Sequence, residues 1–276
     1  MKKILLSLGM LALVGAVVVG GTAAIFSDTE VSTGNTFTAG AIDLGVDNHS
    51  YYNGELNPGT TWRIDYDISD EGGRQFFNFE DLKPGDWGED TISLHVNNND
   101  AWLCAAAQVT EDSDVDYSEP ELEDDNTVNE GNPLGTDGEL AENLNFLFWA
   151  DDGDNVLEAS EEGKIFLQGP VSGIGGAGQI SLADSADNVW DDLPNSPVLG
   201  GQDYFIGKAW CFGDISPNSL ADGNLDPLAN GTGVNCSGAS SSNNAAQTDR
   251  VMGDIQFYAV QSRNNATFTC GSNYTP

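Results

Sequence analysis

The chain has 276 residues, and 9 Lys and Arg against 44 Asp and Glu give it a formal net charge of −35. A chain this acidic lacks the clustered basic residues that nucleic acids and anionic membrane surfaces require, so the composition excludes both as partners of the folded protein. Hydrophobic residues make up 39% of the chain, which is enough for a core, and its 33 glycines favour turns and strands.

The first 24 residues have the pattern of a secretory signal peptide. Lysines at positions 2 and 3 precede an uncharged run from Ile4 to Phe26, and small residues crowd the end of that run. We expect a signal peptidase to cut between Ala24 and Ile25, so that the chain meets a membrane only before cleavage. A retained transmembrane helix is the alternative, because the apolar run is long enough to span a bilayer.

The residues around and after this cut resemble the TasA/camelysin family of exported proteins, whose members carry a signal peptide processed by a SipW-type peptidase. The resemblance rests on these segments: Gly20-Gly21-Thr22, Phe26-Ser27-Asp28, Asn35-Thr36-Phe37, Gly40-Ala41-Ile42-Asp43-Leu44 and, before a strand, Leu82-Lys83-Pro84-Gly85-Asp86. It implies a jelly-roll-like antiparallel β-sandwich that is secreted to the cell surface or extracellular matrix. It also implies fibres, because fibre-forming members insert the N-terminal strand of one subunit into the next.

We therefore expect residues 25–276 to form one all-β sandwich domain whose partner is another copy of itself. Residues 25–47 would be a donor-type strand segment that does not stay as a strand of its own subunit. Residues 111–142 and 169–201 would be acidic and Gly-rich loop insertions. The residues expected to carry assembly are Ile25, Phe26, Phe37, Ile42 and Leu44. The alternative is that the N-terminal segment is the first strand of its own sheet.

Period-two alternation predicts short strands along the rest of the chain. In residues 91–96 it places Ile92, Leu94 and Val96 on one face and leaves His95 facing solvent. The other predicted strands are residues 102–109, 143–149, 164–167, 203–212 and 254–260, with a short helix near residues 137–143. Many short strands with turn-rich connections are typical of a sandwich or barrel.

Two stretches of the predicted insertions have unusual compositions. Nine of the fifteen residues from Glu111 to Asp125 are acidic, so we expect self-repulsion to keep this stretch extended and solvated. Such acidity suits a high-salt habitat, and weak capture of divalent cations is the alternative interpretation. Residues 169–201 are rich in glycine without the pattern of a phosphate-binding loop, so we expect an ordinary loop there.

The sequence from Asp151 to Glu158 predicts a calcium site. Asp152, Asp154 and the main-chain carbonyl of Val156 fall on alternate positions, and Glu158 follows, with Glu161 or Glu162 also able to complete the shell. Calcium takes six to eight oxygen ligands, and a tight acidic turn supplies them. The alternative is a hairpin turn with exposed charges, since the spacing is not that of an EF-hand.

Four cysteines lie in the exported part of the chain, and none is in a CxxC pair. An even number of cysteines in an exported chain favours two disulfides, and the sequence allows three pairings. We expect Cys211 to pair with Cys236, which closes a local loop, and Cys104 to pair with Cys270, which ties an early strand to the C-terminal tail.

The sequence contains no recognisable catalytic constellation. It has two histidines, His49 and His95, and neither the HExxH motif of zinc proteases nor a GxSxG nucleophile elbow. Its six tryptophans would stack on sugars or, more commonly, pack in the core. We therefore expect a structural, non-enzymatic protein with no catalytic or organic-cofactor residues. The alternatives are a camelysin-like cell-surface metalloprotease and a monomeric module that binds calcium or glycans.

Overall fold

The computed structural model describes residues 27–31, 42–63, 74–116, 118–124, 138–176, 178–238 and 244–271. In these residues the strands are β1 (Ser27–Val31), β2 (Leu44–Tyr52), β3 (Glu55–Leu56), β4 (Trp87–Val96), β5 (Ala101–Asp114), β6 (Leu144–Asp151), β7 (Ile165–Pro170), β8 (Gln179–Ala183), β9 (Gln202–Phe212), β10 (Asp214–Pro217), β11 (Val234–Ser237) and β12 (Asp249–Gln261). The helices are single turns: α1 (Glu121–Asp124), α2 (Leu140–Asn143), α3 (Val171–Ile174) and α4 (Pro227–Asn230), with 3-10 turns at Glu162–Lys164 and Asn244–Ala246.

The strands form two antiparallel sheets that share one core. One sheet has the order β3-β2-β4-β9-β6-β7, the other has the order β1-β12-β5-β8, and β10 pairs with β11 in a small separate hairpin. Side chains from both sheets meet in one buried cluster, including Ile92 and Leu94 of β4, Leu103 of β5 and Phe257 of β12. The expected all-β antiparallel sandwich is confirmed.

Local alternation explains why these strands form. Ile92, Leu94 and Val96 are buried in the shared core, as the period-two pattern predicts. All six strands predicted from alternation overlap observed strands, namely β4, β5, β6, β7, β9 and β12. The short helix predicted near residues 137–143 is α2.

Both predicted loop insertions contain regular structure. Strand β5 continues to Asp114 because β12 provides a ladder partner as far as Asp249, and Arg250 forms an ion pair with Glu111 at 2.6 Å. The acidic stretch is therefore not wholly the solvated loop that its composition predicts, and Asp114 and Glu121 in it are buried. In residues 169–201, β8 pairs with β5 at the edge of the four-stranded sheet, and the Gly-rich composition around it led to the prediction of an ordinary loop.

Both expected disulfides are present, Cys104 with Cys270 and Cys211 with Cys236. The first fastens the segment after β12 onto β5, where Trp102 also donates a hydrogen bond from Nε1 to the Asn265 carbonyl at 2.8 Å. The second ties β9 to β11 and so holds the small hairpin against the six-stranded sheet.

The N-terminal segment differs from the expectation in two places. Strand β1 pairs with β12 of its own chain, in a register that runs from Ser27 opposite Val260 to Val31 opposite Gln256. Ile42 and Leu44, predicted to enter a neighbouring copy, are buried in this chain's own core. They alternate inward together with Val46 of β2, so they extend the buried face of a central strand. For residues 42–47 the donor-strand prediction is therefore wrong in this single chain.

Several predicted residues lie outside the described part of the chain. They are the signal peptide of residues 1–24 with its cleavage site at Ala24 and Ile25, and the assembly residues Phe26 and Phe37. Among the residues that the structure does describe, none belongs to a helix with the length and apolarity needed to cross a membrane.

Candidate functional site

The acidic loop, defined here as residues 151–162, lies on the face of the six-stranded sheet opposite the shared core. Along β6, Phe146 and Phe148 enter the shared core, so Leu147 and Trp149 point to the opposite face. Leu147 and Trp149 pack there with Leu157 from the acidic loop. Side chains of β10 and β11 cover the same cluster. Buried apolar contacts therefore hold the acidic loop against the sheet.

Asp151, the last residue of β6, organises the start of the loop. Its Oδ1 accepts a hydrogen bond from Trp149 Nε1 at 3.1 Å. Its Oδ2 accepts hydrogen bonds from the N–H groups of Gly153 at 2.9 Å and Asn155 at 3.3 Å. Gly153 and Asn155 both have positive φ angles, 109° and 64°, which glycine and asparagine tolerate best. These two residues allow the chain to turn tightly around a buried carboxylate.

The structure brings together the three carboxylates of the predicted calcium site. One oxygen each from Asp152, Asp154 and Glu158 lies within 4.8 Å of the other two. The Val156 N–H donates to Asp154 Oδ1 at 3.0 Å, and Val156 itself is fully buried. A calcium-ligand role for the Val156 carbonyl stays a prediction.

A segment distant in sequence fixes two of these carboxylates. Asp154 Oδ2 accepts from the Leu225 N–H at 3.0 Å, and Glu158 Oε1 accepts from the Gly223 N–H at 2.7 Å. These main-chain donors give each carboxylate a defined orientation. Sequence patterns do not reveal the segment of residues 223–225 as part of the site, because it contributes through main-chain groups.

A second group of carboxylates shares Asp152 with the first. Oxygens of Asp151, Asp152 and Glu161 lie within 4.8 Å of one another. Of the two residues suggested to complete the shell, Glu161 is buried and joins this group, whereas Glu162 is exposed and accepts a hydrogen bond from the Ser219 hydroxyl at 2.8 Å. The loop thus presents two adjoining clusters of hard oxygen ligands.

Several carboxylates in and beside the acidic loop have raised pKa values. Burial raises the pKa of Asp151 to about 7. Burial, followed by the charge of Asp151, raises the pKa of Glu161 to about 8. Burial, followed by the charges of Asp90 and Asp151, raises the pKa of Glu89 on β4 to about 9. No ion pair within the described residues joins a lysine or arginine to the acidic loop. A bound divalent cation would favour the ionised form of these carboxylates.

A third carboxylate group lies at the far end of β5 and β12. Asp114, Glu121 and Asp249 place oxygens within 4.8 Å of one another. Burial and a hydrogen bond with Asp114 raise the pKa of Asp249 to about 8. The Glu139 and Leu140 N–H groups donate to Asp249 Oδ2 at 2.6 and 3.0 Å. The two main-chain donors at the start of α2 make Asp249 an anchor for this helix.

The two histidines are placed too far apart to form one metal centre. His49 lies opposite Thr91 and His95 lies opposite Gly45 on the paired strands β2 and β4. Four residues along a strand span about 13 Å, whereas a zinc–nitrogen bond is about 2 Å. His95 Nε2 lies 3.0 Å from Asp47 and Nδ1 lies 2.7 Å from Asp203, so this side chain is half-buried between two carboxylates. The prediction that His95 simply faces solvent is wrong, because the neighbouring strands supply those two partners.

The tryptophans serve mainly as packing residues. Trp62, Trp102, Trp149 and Trp210 are buried. Trp190 is half-buried, and its Nε1 donates to the Phe205 carbonyl at 2.9 Å. Burial of most of these rings removes them as a stacking platform for sugars.

Similarity to known proteins covers the N-terminal part of this architecture. The family model for the camelysin metallo-endopeptidase matches residues 1–161, more than half of the 276 residues. The chain belongs to the camelysin family. The camelysin match includes β1 to β6 and ends inside the acidic loop, so the strands that complete both sheets follow it. No curated protein matches the chain. Proteins of the camelysin and TasA family are extracellular or associated with the cell surface.

Proposed function

We propose that this chain is an exported structural subunit of the cell surface or extracellular matrix, and that its copies assemble by exchanging β1. The observation that carries the proposal is the position of β1. It is a five-residue strand at the edge of the four-stranded sheet, and its ladder partner is β12. Removal of an edge strand leaves unpaired main-chain groups on the neighbouring strand, and these groups recruit a replacement strand.

The groove beside β12 is suited to accept an equivalent strand. Phe257, Tyr258 and Ala259 of β12 lie opposite residues 28–30 of β1, and all three are at most 5% exposed. An identical strand from another copy forms the same hydrogen bonds and the same contacts, so exchange conserves the energy of the closed subunit. Domain swapping of this kind costs little beyond the entropy of association.

The connection between β1 and β2 is long enough for exchange. Residues 32–41 separate Val31 from Ile42, and a chain of that length reaches about 35 Å when fully extended. A contact in which each copy gives its strand to the next is head-to-tail, and such a contact produces a filament unless its rotation closes a ring.

The net charge determines the conditions for assembly. The full chain has a formal charge of −35, and mature copies are more acidic still because they lack Lys2 and Lys3, so they repel one another at low ionic strength. Salt shortens the screening length from about 30 Å at 0.01 M to about 3 Å at 1 M. We therefore expect assembly at high salt or with divalent cations.

A pair of double variants tests strand exchange. Adjacent residues in an antiparallel ladder alternate between bonded and non-bonded positions, so T29P/E30P removes one ladder hydrogen bond and disfavours the strand, whereas T29A/E30A keeps both N–H groups. Light scattering of the mature chain, residues 25–276, in high salt should show large assemblies for wild type and T29A/E30A but not for T29P/E30P. Equal assembly of both variants would contradict the proposal. Circular dichroism and disulfide content confirm that both variants are folded.

The description of the family as an endopeptidase supplies a second candidate function. The acidic loop is its best location, since carboxylates also bind zinc, but zinc proteases commonly use histidine ligands and the two histidines are far apart. Casein cleavage that is abolished by a chelator and restored by zinc would favour this candidate over a structural role.

Calcium binding by the acidic loop is proposed as an accompanying property. It is supported by the convergence of Asp152, Asp154 and Glu158 within 4.8 Å and by the main-chain donors that orient two of them. All three are hard oxygen ligands that suit calcium. Bound calcium would also reduce the repulsion between copies.

A further inference from the structure

A lysine and an aspartate lie side by side in the core of the sandwich. Lys208 on β9 is directly opposite Asp90 on β4, and the two strands are neighbours in the middle of the six-stranded sheet. Lys208 Nζ lies 2.7 Å from Asp90 Oδ2, and both side chains are 0% exposed. Sequence patterns do not reveal the pair, because Asp90 and Lys208 are 118 positions apart in the chain.

The surroundings of this pair are mostly aromatic. Lys208 Nζ lies 4.0 Å from the centre of the Phe77 ring and 5.8 Å from that of Phe76. The carbonyl oxygen of Phe76 is 3.4 Å from Nζ. On the other side, Asn48 Nδ2 donates a hydrogen bond to Asp90 Oδ1 at 3.2 Å. One amide donor is thus directed at the carboxyl group, and aromatic rings cover the amine.

This environment disfavours a stable ion pair. Removing an ammonium and a carboxylate from water costs several kcal/mol for each ion even in relaxed proteins, and the mutual attraction of the pair often fails to offset that cost. Burial lowers the pKa of Lys208 despite the nearby Asp90 charge. Transfer of one proton within the pair would give a neutral amine and a carboxylic acid, which are the reactive forms for amide formation.

We propose that Lys208 and Asp90 become joined by an intramolecular amide bond. The neutral Nζ attacks Cγ of the protonated carboxyl group, and the Nζ–Cγ bond forms. Asn48 Nδ2 stabilises the oxygen at Oδ1 as negative charge develops on it. The bond from Cγ to the second oxygen then breaks, and that oxygen leaves as water with the proton that Nζ loses. The ammonium and carboxylate thus become one amide and one water, with no oxidant, reductant or cofactor.

The surrounding structure provides what the reaction requires. Adjacent antiparallel strands hold the two groups in register, which replaces the entropy cost of a bimolecular encounter. Burial excludes the water that would hydrolyse the amide or solvate the ions. The product is a covalent bridge between the two central strands of the larger sheet, in a protein whose two disulfides lie elsewhere. This inference does not depend on strand exchange.

The intact mass of the purified chain tests the proposal directly. After reduction of both disulfides and denaturation, the chain should be lighter than its sequence mass by one water molecule. The N-terminal residue, which fixes that sequence mass, is identified in a protease digest of the same sample. Fragmentation of a protease digest should yield a branched peptide that contains Asp90 and Lys208. The surface pair of Lys83 and Asp81 is a built-in control, since it has a similar separation of 2.6 Å but is exposed, and it should remain unmodified. The full sequence mass, or a water loss located at any other residue, would overturn the proposal.

Two variants extend the test. D90N places an amide where the acid stood; reaction with Lys208 then releases ammonia and gives the same product, so its final mass should equal that of wild type. K208R keeps a buried cation that does not form this amide, and it should show its full sequence mass. If K208R fails to fold, D90N decides: a mass equal to its unreacted sequence contradicts the proposal, as an unreacted wild type does.

Discussion

The contact between Trp149 and Gly207 gives a sharp prediction about what holds the acidic loop. These residues are opposite each other on β6 and β9, and the Trp149 ring lies directly over the Gly207 backbone. A Cβ added at position 207 would meet Trp149 Cε2 and Cζ2, both at 2.1 Å. Ordinary contacts between carbon atoms are about 3.5–4.0 Å, so the G207A variant must displace the ring.

The expected magnitude combines two effects. Overpacking of a core site costs about 1–3 kcal/mol, and the hydrogen bond from Trp149 Nε1 to Asp151, which the displaced ring loses, contributes about 1 kcal/mol. We expect G207A to lower the free energy of unfolding by about 2–4 kcal/mol. For a chain of this size that corresponds to a melting temperature lower by roughly 5–15 °C.

Urea unfolding followed by tryptophan fluorescence measures this change, with G163A as the control. A methyl group added at position 163 would have no other atom within 4 Å, and the φ angle there is not positive. G163A should therefore change stability by less than about 1 kcal/mol. If G207A is as stable as G163A, Trp149 does not hold the acidic loop in the way described.

The carboxylates, His95 and the disulfides give the remaining predictions. Calcium at matched ionic strength should raise the melting temperature of wild type and of the surface control E55Q/E80Q/E142Q but not of D152N/D154N/E158Q; equal responses would reduce the effect to screening. Without divalent cations, stability should fall from about pH 5 to about pH 8, because Asp151 and Glu161 have raised pKa values in the fold and so hold protons that the unfolded chain has lost; a flat profile contradicts this. The hydrogen bond with Asp47 is the main cause that raises the pKa of His95. The contribution of His95 to the free energy of unfolding should therefore be complete below its unfolded pKa of about 6.5 and lost as the pH rises through its folded pKa. H95Q, compared with H49Q, should be destabilised only at low pH. Loop lengths of 166 and 25 residues predict losses of about 5 kcal/mol for C104S/C270S and about 3.5 kcal/mol for C211S/C236S in denaturant unfolding, and the reverse order would refute this loop-entropy reasoning.

Features set by neighbouring residues are predictable from the sequence. Alternation in β4 identifies its buried face, and the spacing of Asp152, Asp154 and Glu158 identifies a carboxylate cluster that the fold does assemble. In both cases the physical cause lies within a few residues, because a strand repeats every two residues and a turn brings close neighbours together.

Features set by partners distant in sequence are not predictable in this way. The main-chain donors at Gly223 and Leu225, the carboxyl group of Glu89 and the partners of His95 reach their positions only through the tertiary fold. Strand β5 extends into the acidic stretch because β12 pairs with it there, against the local preference of the charges. The same kind of long-range pairing places β1 against β12, at the sheet edge where strand exchange is proposed.

Negative-stain electron microscopy of the mature chain tests strand exchange most directly. Residues 25–276 and a version that begins at residue 32 would be imaged at equal, high concentration in high salt, after confirming that both retain their disulfides. Strand exchange predicts filaments from the longer chain, none from the shorter one, and loss of filament growth when a peptide of residues 25–44 occupies the groove beside β12. Filaments from the shorter chain, or only monomers from the longer chain in every condition that preserves the fold, would contradict it.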